Sequence, residues 1–369
     1  MRVALVISAL ARGGAERQLI QLAIGLSNLG EEVQVWCYGG ASEIDDELRE
    51  AGVLVRNSEG SRASKFRVLR QWIRKFNPHV LHGFMKRASA LLLLSRGARF
   101  HPVVIASDLS TATYGKRDLT LWLSLALFVL AQRVATQTDL NRRSLERLAP
   151  WLRGKIRVVR NGLDLGRYEP ASDPANATPF RFLAVGSVYG VKNPVRAVEA
   201  VAIMRDQGRS DFVLDWYGRL GLKGDDDPSA EYLECRDKIE SLGLCEYIRF
   251  HGESSQISVA YQKSNALIHP SLQEGFPNAV VEGMACGLPM VVSRVSDLPL
   301  VVREAQNGFV FNETDSKDIA SAMAAMMDTP ASERAAMGRR SRHLAEKWFG
   351  LDRFVSEYQA LYAELLQAR

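Results

Sequence analysis

Cysteine is scarce in this chain of 369 residues: Cys37, Cys235, Cys245 and Cys286 are all there are. None forms a C-x-x-C pair and no Cys/His spacing suits zinc, so neither a disulfide scaffold nor a zinc ribbon is expected. The four read as free thiols of a reducing compartment. Long apolar runs are missing too. No stretch reaches the roughly 18–20 residues a membrane span requires. The opening run from Met1 to Leu10 stops at Arg12-Gly13-Gly14 with no small-residue cleavage pattern after it, so it reads as a first buried strand rather than a leader. Short repeats and low-complexity tracts are absent. The acid run Asp225-Asp226-Asp227 reads as a solvent loop rather than a metal site.

What remains is an ordinary globular composition, 47% apolar and 24% charged, long enough for two domains. The charge is unevenly spread. Residues 1–170 carry 26 Lys and Arg against 15 Asp and Glu, a net +11, whereas the rest of the chain is net −6. A basic half joined to an acidic half suggests that the first half meets something anionic, such as a membrane surface, a lipid phosphate or nucleic acid; a merely solvated basic surface is the alternative.

Apolar runs and amphipathic stretches alternate along the first half. Val3 to Ile7, Val33 to Trp36, Val80 to His82, Val103 to Ala106, Val134-Ala135 and Ile156 to Arg160 read as strands, with helices over Ala15 to Leu29 and Ser42 to Ala51 among those between them. After Asn161-Gly162, a turn signal, residues 169–179 are rich in Pro, Ala, Ser and Asp and form the best linker in the chain. The pattern then restarts with strands at Phe180 to Val185, Phe212 to Tyr217, Tyr247 to Phe250, Ala266 to Ile268 and Met290 to Val292. Helices follow over Ser316 to Met327, Ser332 to Trp348 and Leu351 to Leu366. This predicts an α/β protein of two Rossmann-like, doubly wound domains, residues 1–170 and 180–350, facing an inter-domain cleft. The last helix, 351–369, is expected to cross back to the first domain.

The most informative segment runs from His269 to Pro289. A loop leads to Pro277, which suits the first turn of a helix that Gly287 and Pro289 close. A helix N-terminus has unpaired N–H groups and partial positive charge, both suited to a diphosphate. Glu282 lies about 6–8 Å along the axis at 1.5 Å per residue and could accept both hydroxyls of a ribose. Glu274 stands just before the helix, where a sugar beyond the diphosphate would lie. One phosphate-binding end between two diol-matched acids is a layout for a nucleoside diphosphate sugar. Taken singly, each acid could equally be a solvated surface residue.

Glu274-Gly-Phe-Pro-Asn-Ala-Val-Val-Glu282 resembles the Glu-x7-Glu signature of the retaining GT-B glycosyltransferases of family four. The likeness extends to Gly13-Gly14-Ala15-Glu16-Arg17, to Val159-Arg-Asn161-Gly162-Leu-Asp164 and to Gly186 through Pro194. The resemblance implies roles. Glu282 would bind the nucleotide ribose and Glu274 the hydroxyls of the donor sugar. Backbone N–H groups of Gly275, Phe276, Asn278 and Ala279, with Pro277 among them as a residue that brings no N–H, would hold sugar and phosphate. The backbone near Phe250, His251 and Gly252 would face the base. Gly14 would lie against the donor phosphate, with a plain tight turn as its alternative reading. Lys192 would neutralise the departing diphosphate, since a leaving group that gains charge needs a fixed cation. It further implies transfer without metal or cofactor. The donor would be a UDP- or GDP-linked sugar, and the acceptor a hydroxyl of a growing glycan or lipid-linked sugar in polysaccharide or glycolipid synthesis. No nucleic-acid partner is expected, and the location implied is cytoplasmic, peripheral at the inner face of the membrane.

Two positions depart from the family pattern. Ser187 stands where Arg is usual, so either Ser187 donates a hydrogen bond only or another residue such as Arg219 supplies the cation. Where many members have a histidine at the end of a strand, this chain has Ser107 and Asp108. Asp108 either takes over the contact near the reacting carbon or is a helix cap or loop acid; His101, before the strand, is not that histidine. Leu119 to Ala131 is unusually apolar and follows Lys116-Arg117, with Arg96 and Arg99 not far before. It is either a buried helix or one whose exposed side dips into an anionic lipid surface. Competing readings are a nucleotide-sugar epimerase or phosphorylase-like enzyme on the same fold, and a nucleotide-sugar-binding protein without catalysis.

Overall fold

The computed structural model describes residues 1–10, 13–39, 45–58, 60–95, 102–109, 119–170, 178–221 and 227–368. Arg12, Arg96, Arg99, His101, Lys116, Arg117, Asp225, Asp226 and the middle of the proposed linker lie outside these. The chain divides into two compact units, Met1–Leu163 with Phe349–Arg369, and Asp164–Trp348.

The first unit is a seven-stranded parallel sheet. Its strands are β1 (Arg2–Ile7), β2 (Glu32–Cys37), β3 (Leu54–Asn57), β4 (Val80–Gly83), β5 (Val103–Ser107), β6 (Arg133–Thr136) and β7 (Ile156–Val158), in the order β3-β2-β1-β4-β5-β6-β7. Continuous apolar runs such as Val3 to Ile7 are buried throughout, as a parallel sheet covered on both faces requires. β3 was not expected. Its Leu-Val-Arg-Asn sequence is mostly exposed, so it has no apolar signature and holds its place by pairing with β2 at the sheet edge. Of the helix expected over Ser42 to Ala51, the described part is Asp45–Glu50.

The helix Leu351–Gln367 belongs to this unit. Phe354, Val355, Tyr358, Leu361, Tyr362 and Leu365 on one face enter the core formed by β1, β2 and the helix Gly14–Asn28. The two helices meet so closely at Gly25 that a Cβ there would fall 2.3 Å from Val355 Cγ2. A buried polar chain also ties the helix to the sheet. His82 of β4 has Nδ1 2.7 Å from the Tyr362 hydroxyl and Nε2 2.6 Å from Ser107 Oγ. Burial pushes this imidazole down to about 3, so it is neutral.

The second unit is a six-stranded parallel sheet: β8 (Phe180–Val185), β9 (Phe212–Tyr217), β10 (Ile248–Phe250), β11 (Ala266–His269), β12 (Met290–Ser293) and β13 (Gly308–Phe311), ordered β10-β9-β8-β11-β12-β13. β13 was also unforeseen; it is four residues long, begins with glycine and pairs only with β12. The chain winds outward from β8 through β9 to β10, then returns to start β11 on the other side of β8. Loops that leave β8 and β11 therefore part at a topological switch point, the place where open α/β sheets bind ligands.

Candidate functional site in the second unit

The site is built where those two loops meet. After β8 the chain runs through Gly186 and Ser187 into the short 3-10 turn Gly190–Lys192, then into the helix Pro194–Asp206. Asn193 caps that helix with φ 60°, and its side-chain amide donates to the Pro270 carbonyl (3.0 Å) and the Glu313 carbonyl (2.8 Å). Leu272 N–H donates to the Val191 carbonyl at 2.8 Å. The two loops are thus stitched together by backbone and by one buried asparagine.

That stitching brings together residues 82 positions apart. Lys192 Nζ lies 2.6 Å from Glu274 Oε1. His269, the last residue of β11, has Nε2 3.0 Å from the same oxygen and 3.1 Å from Ser271 Oγ. Burial pushes the Glu274 carboxyl up, but the Lys192 charge and the His269 hydrogen bond outweigh it and hold the group down to about 2. The carboxylate is ionised at every ordinary pH. Burial lowers the affinity of His269 for a second proton, although Glu274 pulls the other way. Both recorded contacts of Glu274 fall on Oε1, and among the described residues none falls on Oε2.

The helix Asn278–Ala285 follows directly. Pro277 is its N-cap, in extended conformation at φ −75° and ψ 120°, rather than a residue of its first turn. A residue before the helix proper can keep the extended ψ that carries the loop away. A proline cap brings no side-chain acceptor to the first turn. Phe276 is buried, and the Gly275 carbonyl accepts from the Ser296 hydroxyl, which pins the loop. The helix ends at Cys286, with Gly287 in the left-handed region at φ 73°.

Glu282 is not a solvated surface acid. It is 6% exposed, and its Oε2 accepts from the hydroxyl of the fully buried Tyr261 at 2.9 Å. The same hydroxyl lies 3.1 Å from the Ala279 carbonyl. Tyr261 stayed invisible to sequence reasoning, since nothing in a spacing of 21 residues signals the contact. His269 was in view, but its position before the loop gave no hint of a bond to Glu274.

At the ends of β8, β9 and β10 the backbone crowds around glycines. A Cβ on Gly218 (φ 148°) would fall 2.2 Å from the Gly186 carbonyl oxygen, so only glycine fits. Val188 N–H donates to the Arg219 carbonyl at 2.7 Å, which sets Arg219 on the strand end beside Ser187. The Arg219 guanidinium is 3.2 Å from Glu253. Phe250 turns into the core against Trp216 and Tyr232. His251 stays nearer the surface, stacked on Tyr217 at 4.4 Å and bonded through Nε2 to Asp215 at 2.7 Å.

The remaining candidates, Gly14, Ser107 and Asp108, belong to the first unit. Gly14 begins the helix Gly14–Asn28 after β1, with Gly13 as its cap. β1 and β4 flank the switch point of that sheet. Ser107 ends β5 and is taken up by His82. Asp108 is fully buried: its N–H donates to the Ala135 carbonyl (2.9 Å), its carbonyl accepts from Asn141 (3.1 Å), and its carboxylate is 3.9 Å from Lys86 Nζ. It is an enclosed acid and not a solvated one. Among the described residues no group of three or more His, Cys, Asp or Glu side chains is arranged to hold a metal ion.

Family models decide the assignment. Residues 12–167 match the model for Glycosyltransferase Family 4, and residues 169–344 match that for Glycosyl transferases group 1. The chain is built of these two glycosyltransferase domains. It is 30% identical over 230 residues to the D-inositol 3-phosphate glycosyltransferase of Streptomyces avermitilis, an overlap of 58% of this chain and 48% of the relative. It is 29% identical over 224 residues to the putative colanic acid biosynthesis glycosyltransferase WcaL of Escherichia coli K12, covering 58% and 52%. The chain spans about half the length of these relatives. Among solved structures, Anabaena HepE in complex with UDP and glucose superposes with a TM-score of 0.84 at 16% identity, over 99% of this chain and all of that one. At that identity the likeness shows the fold, and the fold of this glycosyltransferase-family chain is GT-B.

Proposed function

We propose that the protein transfers a sugar, a hexose or a close relative, from a nucleoside diphosphate donor to a hydroxyl of a glycan or lipid-linked acceptor. The anomeric bond to the diphosphate breaks, a bond to the acceptor oxygen forms with retention of configuration, and the acceptor proton and nucleoside diphosphate are released. Neither metal nor cofactor takes part. The observation that carries this reading is the meeting of Lys192 and Glu274 at the switch point, beside the N-terminus of the helix that bears Glu282. The cation faces the developing charge of the leaving group, Glu274 Oε2 faces donor-sugar hydroxyls, and Glu282 takes the ribose. HepE, with UDP and glucose bound, supports a nucleotide-sugar donor on this fold. The colanic acid relative supports a glycan acceptor in cell-surface synthesis.

Thermal unfolding with UDP- and GDP-linked sugars checks the donor. A ligand at about a hundredfold excess over its Kd adds roughly 2.7 kcal/mol of native-state stability. That is a rise of about 5–10 °C for units of this size. One nucleotide series should give it, and a flat response to every sugar nucleotide would discredit the site. Release of nucleotide only when acceptor is present separates transfer from epimerisation, which alters the free donor, and from binding without catalysis. Glu282→Gln should weaken nucleoside diphosphate binding by roughly 1–3 kcal/mol, about 5- to 150-fold in Kd, as read by calorimetry; unchanged affinity would take Glu282 out of the ribose contact.

The reading extends to an anionic membrane at the inner face, for which the first unit supplies a surface. The helix Leu119–Leu127 buries Leu121 and Leu125 yet exposes Trp122 and Leu123 (57%) on its other side. Val129 and Leu130 are exposed in the next turn, as is Trp151, whose indole N–H donates to the Leu125 carbonyl at 3.4 Å. Lys155 Nζ donates to the Val129 and Ala131 carbonyls, and Arg147 and Arg153 are exposed nearby in sequence. No helix among the described residues is long and apolar enough to cross a membrane. Flotation with anionic vesicles should carry the protein at low salt and release it at high salt, and Trp122→Ser with Trp151→Ser should abolish the effect. Equal flotation of that variant would remove this surface from the account.

A further inference from the structure

His269 has no part in the function as stated so far, yet it is fully enclosed and points its Nε2 at the acid on which that function turns. We infer that His269 is the positioning residue of Glu274: a neutral Nε2–H donor that keeps Oε1 anchored when Lys192 turns to the diphosphate. This rests on the proposed donor site. Lys192 has two conflicting tasks. Lys192 Nζ sits 2.6 Å from Glu274 Oε1, but a cation that stabilises a leaving diphosphate must loosen its hold on the carboxylate as it does so. An enclosed carboxylate that loses its only donor would rotate or take up a proton.

His269 removes the conflict. Its nitrogen approaches the same oxygen at 3.0 Å, on a strand end rather than a long flexible stem. An imidazole has two rotatable bonds, and here both are held by burial, so the donor cannot follow Lys192 away. A neutral imidazole serves better than a charged one. It anchors the carboxylate without adding a second positive charge beside Lys192, and burial together with the Lys192 charge favours that neutral form. Ser271 Oγ, 3.1 Å from the same nitrogen, completes the cradle. With Oε1 fixed by His269, Oε2 stays directed at the ligand whether Lys192 is on the acid or on the phosphate. Among the described residues, the charged and titratable groups that act on Glu274 are Lys192 and His269.

The test compares wild type, His269→Ala and His269→Gln in the full chain, the Gln amide placing a donor near the position of Nε2. Carbon-13 NMR of the Glu274 carboxyl in ligand-free protein is independent of any catalytic role. Loss of a hydrogen bond to a charged group, about 1.5–3 kcal/mol, should move its titration up by about one to two pH units in His269→Ala and by much less in His269→Gln. Nitrogen-15 spectra of wild type should show the Nε2–H tautomer from pH 5 to 8. In turnover, His269→Ala should lower kcat at least about tenfold and raise the acid limb of its pH profile. Nucleoside diphosphate affinity should stay within about twofold, and His269→Gln should restore most of the rate. A Glu274 titration unmoved in His269→Ala, or an Nδ1–H or charged imidazole, overturns the inference. If the titration moves as expected but wild type binds no nucleotide, the positioning role stands and the proposed function is what fails.

Discussion

Glu274→Ala should abolish measurable turnover, with kcat falling by at least 10²–10³-fold, while the Kd for free nucleoside diphosphate stays within about threefold. The magnitude is that of removing one preorganised electrostatic partner from a shielded site. The asymmetry follows from geometry. Glu274 is in the loop before the helix Asn278–Ala285 and Glu282 lies within that helix, so the proposed site assigns the sugar to the first acid and the nucleoside to the second. Initial rates with saturating donor, alongside calorimetry with the diphosphate alone, check both halves. Equal loss of affinity and turnover would mean that Glu274 holds the nucleotide, and retained turnover would remove it from the reaction.

Lys192→Met should cost a comparable factor in kcat, about 10²–10³, because no other described cation is recorded in contact with Glu274. Unlike Glu274→Ala, it should also weaken diphosphate binding about tenfold or more, at 1.5–3 kcal/mol for hydrogen bonds to a charged group. It carries a stability signature as well. The Glu274 carboxyl is held at about 2, below its ordinary 4.5, so ionisation favours the folded chain. That contribution is complete above about pH 4.5 and fades as the pH falls towards 2. Without Lys192, burial pushes the group up, the contribution shrinks, and acid unfolding should begin at higher pH. Acid titration followed by circular dichroism reads the shift; identical acid midpoints would mean the ion pair adds nothing to the fold.

The strands of both sheets were legible where the chain packs on two sides, because runs such as Val3 to Ile7 in β1 and Ala266 to Ile268 in β11 must then be apolar. β3 and β13 were not, since an edge strand of four residues owes its place to one neighbour and not to its own pattern. The acids at 274 and 282 could be read because loop and helix are contiguous, and local geometry sets their separation. The environment of each could not. Lys192 and Glu274 join through a backbone bond from Leu272 to Val191, and Glu282 is buried against a tyrosine from another helix. Those are tertiary facts that no spacing encodes. Phe250 and His251 make the same point: adjacent residues at a strand end face opposite ways, so Phe250 entered the core and His251 did not.

The central claim is that the N-terminus of the helix Asn278–Ala285 receives a diphosphate between the two acids. A crystal structure of the full chain soaked with UDP or GDP, whichever raises the unfolding temperature, tests it most directly. The account predicts phosphate oxygens within hydrogen-bond reach of the N–H groups of the first helical turn, the ribose hydroxyls on Glu282, and Lys192 drawn from Glu274 towards the phosphate. Nucleotide bound away from that helix end, with the Lys192–Glu274 pair undisturbed, would contradict it.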